Sequence, residues 1–297
     1  MQSNRTFFQS IFISPDKPRL RAGWRILAHF FILILLSLIT GIVGNAIFTT
    51  FTLGPIFNST LFSVITIPLS VYLARRFLDK RTYESLGFKK DKNTLRDLLF
   101  GIALPALIMG FIYLVEVSMG WLVFEEFAWE TAHSENWLGE LFLWLGIFLA
   151  VGYYEELLSR GYHLQNIEEG LNTFWAVLIS SAVFGIAHLG NPNATWISAL
   201  GLLGAGIFLA YGYLRTRQMW LPIGLHIGWN IFEGPIFGFP VSGLNTFRLL
   251  NHTISGPELF TGGEFGPEAG LLSIIGMGLG AVLIYYYSAS RQLEKTT

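Results

Sequence analysis

The sequence predicts an all-α protein that crosses a membrane about eight times. Three observations support this prediction. Of the 297 residues, 52% are hydrophobic and only 13% are charged, a composition that is typical neither of a soluble globular domain nor of a disordered chain. The apolar residues are gathered in stretches of roughly 20, the length that a helix needs to cross a hydrocarbon core. Basic residues are concentrated between these stretches on one side of the predicted membrane.

Each apolar stretch is expected to form one transmembrane helix. The stretches cover residues 24–49, 60–78, 95–119, 137–158, 174–189, 196–214, 220–232 and 270–287. The first follows a polar head, residues 1–23, and no small-x-small cleavage site follows it, so we expect a retained anchor rather than a signal peptide. An even number of crossings would place both termini on the same side of the membrane.

The distribution of basic residues identifies that side as the cytoplasm. Basic residues are frequent near both termini, after the second stretch and after the sixth stretch; they include Arg5, Arg75, Arg96, Arg217 and Lys295. All of these positions fall on one side under the even count, as the positive-inside rule requires. The acidic and aromatic segment 121–137 falls on the opposite side and is expected to be a loop or an interfacial helix.

The chain is predicted to be a single integral membrane domain, residues 1–297. It has no internal repeat of fixed period and no linker between two soluble compositions. Within it, a Gly/Pro-rich extracytoplasmic loop is expected at 234–268, before the last span. The small-residue pairs Gly201 and Ala205, and Gly276 and Gly280, lie four residues apart, a spacing that lets membrane helices approach closely.

Cysteine chemistry and a nucleic-acid partner are not expected. The chain contains no cysteine, so disulfides, a thiolate nucleophile and a cysteine metal site are excluded. The formal net charge is −1, and no basic patch with interleaved aromatic residues occurs, so a nucleic-acid partner is not expected.

Polar residues inside apolar stretches are costly and indicate functional sites by default. Near the end of the fourth stretch, Glu155 and Glu156 are followed by Arg160. Glu156 and Arg160 are i,i+4 neighbours on a helix and can pair. Glu155 points about 100° away and is left to face a different environment; a solvated helix end is the alternative interpretation.

Two further polar sites follow on later stretches. Phe184 precedes His188 by one helical turn, and His226 precedes Asn230 by one turn. An interface or capping residue is the alternative interpretation of His188, and interhelical hydrogen bonding is the alternative for His226 and Asn230. Glu233 follows on the last of these helices and is expected at the interface. Glu155, the two histidines and Asn230 together offer a general base, two imidazoles and an amide donor, a hydrolytic set without a serine or cysteine nucleophile.

The three patterns, in this order, resemble the signature motifs of the CAAX-prenyl-protease and bacteriocin-processing family. They are Glu-Glu-x-x-x-Arg at 155–160, Phe-x-x-x-His at 184–188 and His-x-x-x-Asn at 226–230, and the resemblance covers about residues 130–235. It implies an intramembrane endopeptidase in which Glu155 and His188 activate a water molecule, while His226 and Asn230 stabilise the oxyanion. Glu156, Arg160 and Phe184 would support them.

The resemblance leaves the cofactor open. Glu155, His188 and His226 could supply a His₂Glu zinc site with water as the fourth ligand; the absence of a His-Glu-x-x-His helix favours a metal-free glutamate mechanism.

The expected partners are the lipid bilayer and a membrane-embedded or lipidated peptide substrate, prenylated or leader-type, and the expected location is a bacterial-type plasma membrane. A non-catalytic scaffold or bacteriocin self-immunity protein of the same fold is the alternative, and a small transporter is a third interpretation.

Overall fold

The computed structural model describes residues 6–15, 17–48, 54–131 and 134–293. Arg5 and Lys295, two of the terminal basic residues noted above, lie outside these ranges. The described residues form α-helices α1 to α11: Phe7–Phe12, Ala22–Phe48, Pro55–Leu73, Thr94–Ser118, Trp137–Glu156, Gln165–Gly170, Thr173–Ala187, Trp196–Thr216, Trp220–Ile231, Glu258–Thr261 and Leu271–Leu293. Two strands, β1 at Leu122–Phe127 and β2 at Leu250–Ile254, form a small sheet.

Seven helical segments within the described ranges are long and apolar enough to cross a membrane. They are Ala22–Gly44, Pro55–Leu78, Thr94–Ser118, Trp137–Gly170, Thr173–Gly190, Trp196–Thr216 and Leu271–Ser290. They coincide with seven of the eight predicted stretches. The chain is therefore a multi-pass integral membrane protein, and the predicted all-α fold is confirmed apart from the two-stranded sheet.

The remaining predicted span, residues 220–232, is shorter than a regular transmembrane helix. It corresponds to α9, which has 12 residues and is therefore only about 18 Å long. Every residue from Leu221 to Asn230 is buried within the protein. A helix enclosed by protein does not need the length or the apolar surface that contact with lipid demands.

The chain divides into two compact units. The first contains Met1–Lys89 and Tyr154–Ser180, and the second contains Lys90–Tyr153 and Ser181–Thr297. The sequence analysis treated the whole chain as one membrane domain, and that boundary stays a prediction.

A buried ion-pair cluster ties together the helices of the first unit. The carboxylate of Asp79 accepts a hydrogen bond from Arg25 at 2.7 Å and another from Arg75 at 2.8 Å. All three side chains are 2% exposed or less. Glu169 forms further ion pairs with Arg25 at 3.1 Å and with Arg81 at 3.3 Å. Buried charges of this kind are tolerated because each carboxylate is paired.

Backbone contact between α4 and α9 organises the second unit. A Cβ atom at Gly224 would lie 2.4 Å from the carbonyl oxygen of Leu98, and one at Gly228 would lie 2.4 Å from that of Ile102. Only glycine allows two helices to approach this closely. Because the contacts advance along both helices in the same order, α9 runs parallel to α4.

The small sheet indicates that α9 runs from one side of the second unit to the other, as α4 does. Strand β1 follows α4 directly, β2 lies in the segment that follows α9, and the strands pair antiparallel with Leu122 opposite Ile254 and Phe127 opposite Leu250. The carboxyl ends of both helices therefore lead to the same side. The predicted loop or interfacial helix at 121–137 was wrong for residues 122–127, which form a strand because a pairing partner far along the chain satisfies their backbone hydrogen bonds.

Both predicted small-residue pairs are packing sites. A Cβ at Gly276 would lie 2.5 Å from a methyl carbon of Ile108, and one at Gly280 would lie 2.9 Å from the same side chain. A Cβ at Gly201 would lie 2.1 Å from the carbonyl oxygen of Glu268. Glycine at these positions thus brings α11, and the turn before it, against α4 and α8.

Candidate active site

His188 lies immediately after α7, where the chain tightens into a short 3₁₀ turn ahead of Pro192. Its ring nitrogen Nδ1 is 2.8 Å from the carbonyl oxygen of Phe184. Because a carbonyl oxygen only accepts hydrogen bonds, Nδ1 carries the proton and donates it. In the neutral ring the basic nitrogen is therefore Nε2, which is the arrangement that a general base or a metal ligand requires.

His226 and Asn230 lie on one face of α9 and are 6% and 5% exposed. His226 follows Gly224 by two residues, and Asn230 follows Gly228 by two residues. Two residues correspond to a rotation of about 200° around a helix axis. The glycine face is turned toward α4, so the two polar side chains are on the other side of the helix.

The ring of Phe184 joins the second and third sequence motifs. Its centroid lies 4.7 Å from that of His188 and 5.9 Å from that of His226, in a nearly perpendicular arrangement with the latter. Phe184 is itself buried. The structure thus brings His188, His226 and Asn230 into one region of the second unit, and their catalytic roles stay a prediction.

A small cavity of about 20 Å³ opens beside these residues. Its polar lining consists of His226, Asn230 and Glu268, and its apolar lining includes Phe184 and Trp229. Glu268 was missed in the sequence analysis because it lies outside the apolar stretches, in the Gly/Pro-rich loop before the last span. No local pattern marks it, since only the fold of that loop returns it to α9.

Glu268 is a buried carboxyl group, 4% exposed. Its oxygen Oε2 accepts a hydrogen bond of 2.5 Å from the hydroxyl of Ser242. Burial raises the pKa of Glu268, and the Ser242 hydroxyl and the nearby His188 and His226 imidazoles oppose that rise. The carboxyl group therefore lies within electrostatic reach of both motif histidines.

Glu233 is fully buried inside the protein, and its expected depth at the membrane interface stays a prediction. The chain continues past Ile231 as a π-helical turn, Phe232–Ile236, which keeps Glu233 inside the protein. The backbone of Glu268 and the indole of Trp229 act on its carboxyl group and favour the charged form. Burial raises the pKa of Glu233 well above its usual value, and the negative charge of Glu268 raises it further.

The first motif lies in the first unit. Arg160 donates a hydrogen bond of 2.6 Å to Glu156, and both side chains are completely buried, so the predicted i,i+4 pair is present. Glu155 is half-buried. Directly after Glu156 the helix widens into a π-helical stretch, Leu157–Leu164, a local irregularity that occurs frequently at functional sites.

Across the described ranges, no three histidine, aspartate or glutamate side chains form a cluster that could hold an ion. The proposed zinc ligands belong to different units, Glu155 to the first and His188 and His226 to the second, so a zinc site at these residues stays a prediction.

Residues 137–232 match a family model described as "Type II CAAX prenyl endopeptidase Rce1-like". This segment, less than half of the chain, is similar to the Rce1-like family. The match contains Glu155, His188, His226 and Asn230, together with Glu156, Arg160 and Phe184. All residues singled out by the three sequence motifs thus fall within the Rce1-like segment, whereas Ser242 and Glu268 fall outside it.

Two proteins of Bacillus subtilis (strain 168) are similar to this chain. "Putative membrane peptidase YdiL" is 35% identical over 78 residues, which cover 26% of this chain and 30% of that protein. "Uncharacterized protein YyaK" is 23% identical over 249 residues, which cover 81% of this chain and 78% of that protein. The stretch shared with the first relative is therefore less than a third of that relative's length.

Proposed function

We propose that this protein is an intramembrane endopeptidase that hydrolyses a peptide bond of a membrane-embedded or lipidated substrate. The observation that carries the proposal is the Rce1-like match, because it contains all four proposed catalytic residues of the three motifs. The clustering of His188, His226 and Asn230 around Phe184 supports it. The name of the relative YdiL, which describes a membrane peptidase, agrees with it.

In the proposed reaction Glu155 and His188 activate one water molecule. A proton passes from the water to this acid–base pair as the water oxygen adds to the carbonyl carbon of the substrate. The tautomer of His188 suits this role, since its basic nitrogen is Nε2. The new C–O bond converts the carbonyl into a tetrahedral oxyanion.

His226 and Asn230 are proposed to stabilise that oxyanion. An imidazole N–H and an amide N–H, held on one buried face of α9, are preorganised donors of the kind that stabilises developing negative charge. The C–N bond of the intermediate then breaks, and the proton taken from water is delivered to the leaving amine. The products are a carboxylate and an amine.

The proposed supporting residues act on the positions of these groups. Arg160 forms an ion pair with Glu156 within the helix, and Glu155 is the carboxylate of the motif to which we assign the role of base. Phe184 accepts the hydrogen bond of His188 through its carbonyl group and packs its ring against both imidazoles.

The decisive experiment compares wild-type protein with Glu155→Gln in detergent. Cleavage is followed with a fluorogenic prenylated peptide, with its unprenylated twin and with a library of membrane-embedded and leader peptides. Loss of a general base typically lowers the rate by about 10²- to 10⁴-fold. Glu140→Gln is the matched control, because Glu140 is an exposed carboxylate in the first turn of the same helix; it should cleave at the wild-type rate.

The outcomes separate the alternatives. Cleavage by Glu155→Gln at the wild-type rate would contradict the role of Glu155. If folded wild-type protein cleaves no peptide of the library, the result favours the non-catalytic scaffold or self-immunity protein. Zinc content measured on the same samples distinguishes the two mechanisms, since a metallopeptidase needs about one zinc ion per chain and loses activity to a chelator.

We further propose that the protein lies in a bacterial-type plasma membrane. Both similar proteins described above come from a bacterium. Fractionation of a bacterial host that expresses the full chain should recover it with the inner membrane.

A further inference from the structure

Glu268 belongs to none of the three motifs and has no part in the reaction proposed above. It lies on the short turn Pro267–Ala269, directly before α11. The absence of a side chain at Gly201 allows the carbonyl oxygen of Glu268 to approach α8 closely. The position of this buried carboxyl group is thus set by backbone packing.

A second contact fixes the carboxyl group itself. Its partner Ser242 has a φ angle of +48°, a left-handed conformation that is uncommon for a residue other than glycine. The Asn191 side chain donates to the carbonyl oxygen of Ser242 at 3.0 Å, and the N–H of Gly243 donates to the carbonyl oxygen of Phe265 at 2.7 Å. The turn that carries the Ser242 hydroxyl is therefore held on both sides.

The cavity beside Glu268 has the size and the polarity of a site for one water molecule. Its volume is about 20 Å³, whereas a buried water needs roughly 10–15 Å³ and two to four polar partners. Three polar side chains line it: His226, Asn230 and Glu268. The indole of Trp229 also lines the cavity, and the other lining side chains, such as Phe184 and Leu209, are apolar.

We propose that Glu268 is a positioning residue that holds His226 and Asn230 through one water bound in this cavity. The carboxylate only accepts hydrogen bonds, so the water donates one hydrogen bond to it and one to the unprotonated ring nitrogen of His226, and it accepts one N–H from the Asn230 amide. This arrangement fixes the imidazole ring and selects the amide orientation that turns its NH₂ group inward. The second amide N–H is then directed at the substrate. The bound water and its contacts do not depend on the proposed peptidase reaction. Only the predicted effect of Glu268 on catalysis rests on that reaction.

The kinetic test compares Glu268→Gln and Glu268→Asp with wild type on a peptide that the wild type cleaves. Glu268→Gln should lower kcat by up to about a hundredfold, since a small misplacement of reacting groups has effects of that size. KM should change by less than about twofold, and Glu268→Asp should recover part of kcat, because a merely structural role would not be rescued in this way. Glu264→Gln is the matched control, since Glu264 is exposed and lies on the same segment.

A spectroscopic test does not depend on activity. With [¹⁵N]histidine in the otherwise unlabelled protein, the ring signals of His226 are assigned by their loss in His226→Gln. They should shift in Glu268→Gln and stay in place in Glu264→Gln, with the His252 signals as an internal reference. If the wild type cleaves no peptide, the peptidase proposal fails while the spectra still decide the role of Glu268.

Unchanged kcat together with unchanged His226 signals in Glu268→Gln would overturn the inference. Should Glu268→Gln fail to fold, as judged by gel filtration, Glu268→Asp and Ser242→Ala take its place. Ser242→Ala removes the hydroxyl that holds the carboxyl group, so it should shift the same His226 signals, and unshifted signals in both variants would equally overturn the inference.

Discussion

At the residue scale, Asn230 supplies the amide of the proposed oxyanion site on the buried face of α9. Asn230→Ala should lower kcat by about 10²- to 10³-fold and change KM little, because the donor acts mainly on the transition state. Asn230→Asp keeps the shape and removes the NH₂ donor, so it should be equally impaired. Steady-state kinetics on the cleaved peptide measures both, and wild-type kcat in Asn230→Ala would contradict the assignment.

The buried pair Glu156 and Arg160 gives a stability prediction at the same scale. Both side chains are inaccessible to solvent. Arg160→Met leaves the Glu156 carboxylate uncompensated and should reduce the free energy of unfolding by about 3–5 kcal/mol. The double variant Glu156→Leu, Arg160→Met removes both charges and should be more stable than the single variant. Denaturant unfolding in detergent measures the difference, and equal stability of the two variants would contradict it.

His252 makes stability depend on pH. It is 6% exposed and lies near the aromatic rings of Tyr113 and Phe239. Burial, with a smaller contribution from the positive charge of Arg248, lowers its pKa from 6.5 to about 4, while Glu125 partly opposes this. The folded state therefore disfavours the charged ring, so its contribution to stability is complete above about pH 6.5 and is lost as the pH falls toward 4.

His252→Phe tests this linkage, since phenylalanine suits the aromatic surroundings and cannot titrate. A pKa that falls from 6.5 to about 4 corresponds to about 3 kcal/mol. Between pH 7.5 and pH 4.5 the wild type should therefore lose about 2–3 kcal/mol more stability than His252→Phe. Comparing the variant with the wild type cancels the titration of Glu233 and Glu268, whose pKa values are raised. Parallel pH curves would show that His252 is not the cause.

At the element scale, the contact between α4 and α9 places the third motif. A Cβ at Gly228 would lie 2.4 Å from a backbone oxygen of α4, and a backbone cannot rotate away as a side chain can. Gly228→Ala should therefore destabilise the protein by about 1–3 kcal/mol and lower kcat by displacing His226. The measurement is denaturant unfolding with kinetics on the same samples.

Gly278→Ala is the matched control for this prediction. A Cβ at Gly278 would meet no atom within 4 Å, and alanine is the better helix former by about 1 kcal/mol. This variant should be as stable as the wild type or more stable, with unchanged activity. Equal destabilisation by the two substitutions would show that helix contact is not the cause.

At the scale of the whole molecule, α9 determines the number of crossings. It runs parallel to α4 and leads to the strand that pairs with β1, so it crosses the second unit although seven other segments have the length of regular spans. If α9 is added to the seven segments found in the described ranges, the count is eight, the even number from which both termini were predicted to lie in the cytoplasm. The location of the termini stays a prediction.

Cysteine labelling tests this topology directly, because the chain has no cysteine of its own. Single cysteines at Lys90 and Arg217 should react with an impermeant maleimide from one side of the membrane. Those at Glu125 and Glu264 should react from the other side, since α4 and α9 cross in between. If the cysteines at Arg217 and Glu264 are labelled from the same side, α9 does not cross.

The sequence by itself determined the membrane class, seven spans and the Rce1-like segment. These properties are local. The length of an apolar stretch can be counted along the sequence, and any helix brings i,i+4 neighbours such as Glu156 and Arg160 close together. The pairs Phe184 and His188, and His226 and Asn230, could be found for the same reason. The local pattern alone did not predict the catalytic roles of these residues.

Tertiary structure alone decided the burial of α9, the strand at Leu122–Phe127 and the place of Glu268. Each depends on partners distant in sequence. α9 is buried because elements such as α4 pack against it, and β1 exists because Leu250–Ile254 pairs with it. Glu268 lies near His188 and His226 because two contacts fix its loop: the hydrogen bond from Ser242 and the close backbone approach to Gly201. Burial and pairing are properties of the folded chain, so no window of sequence contains them.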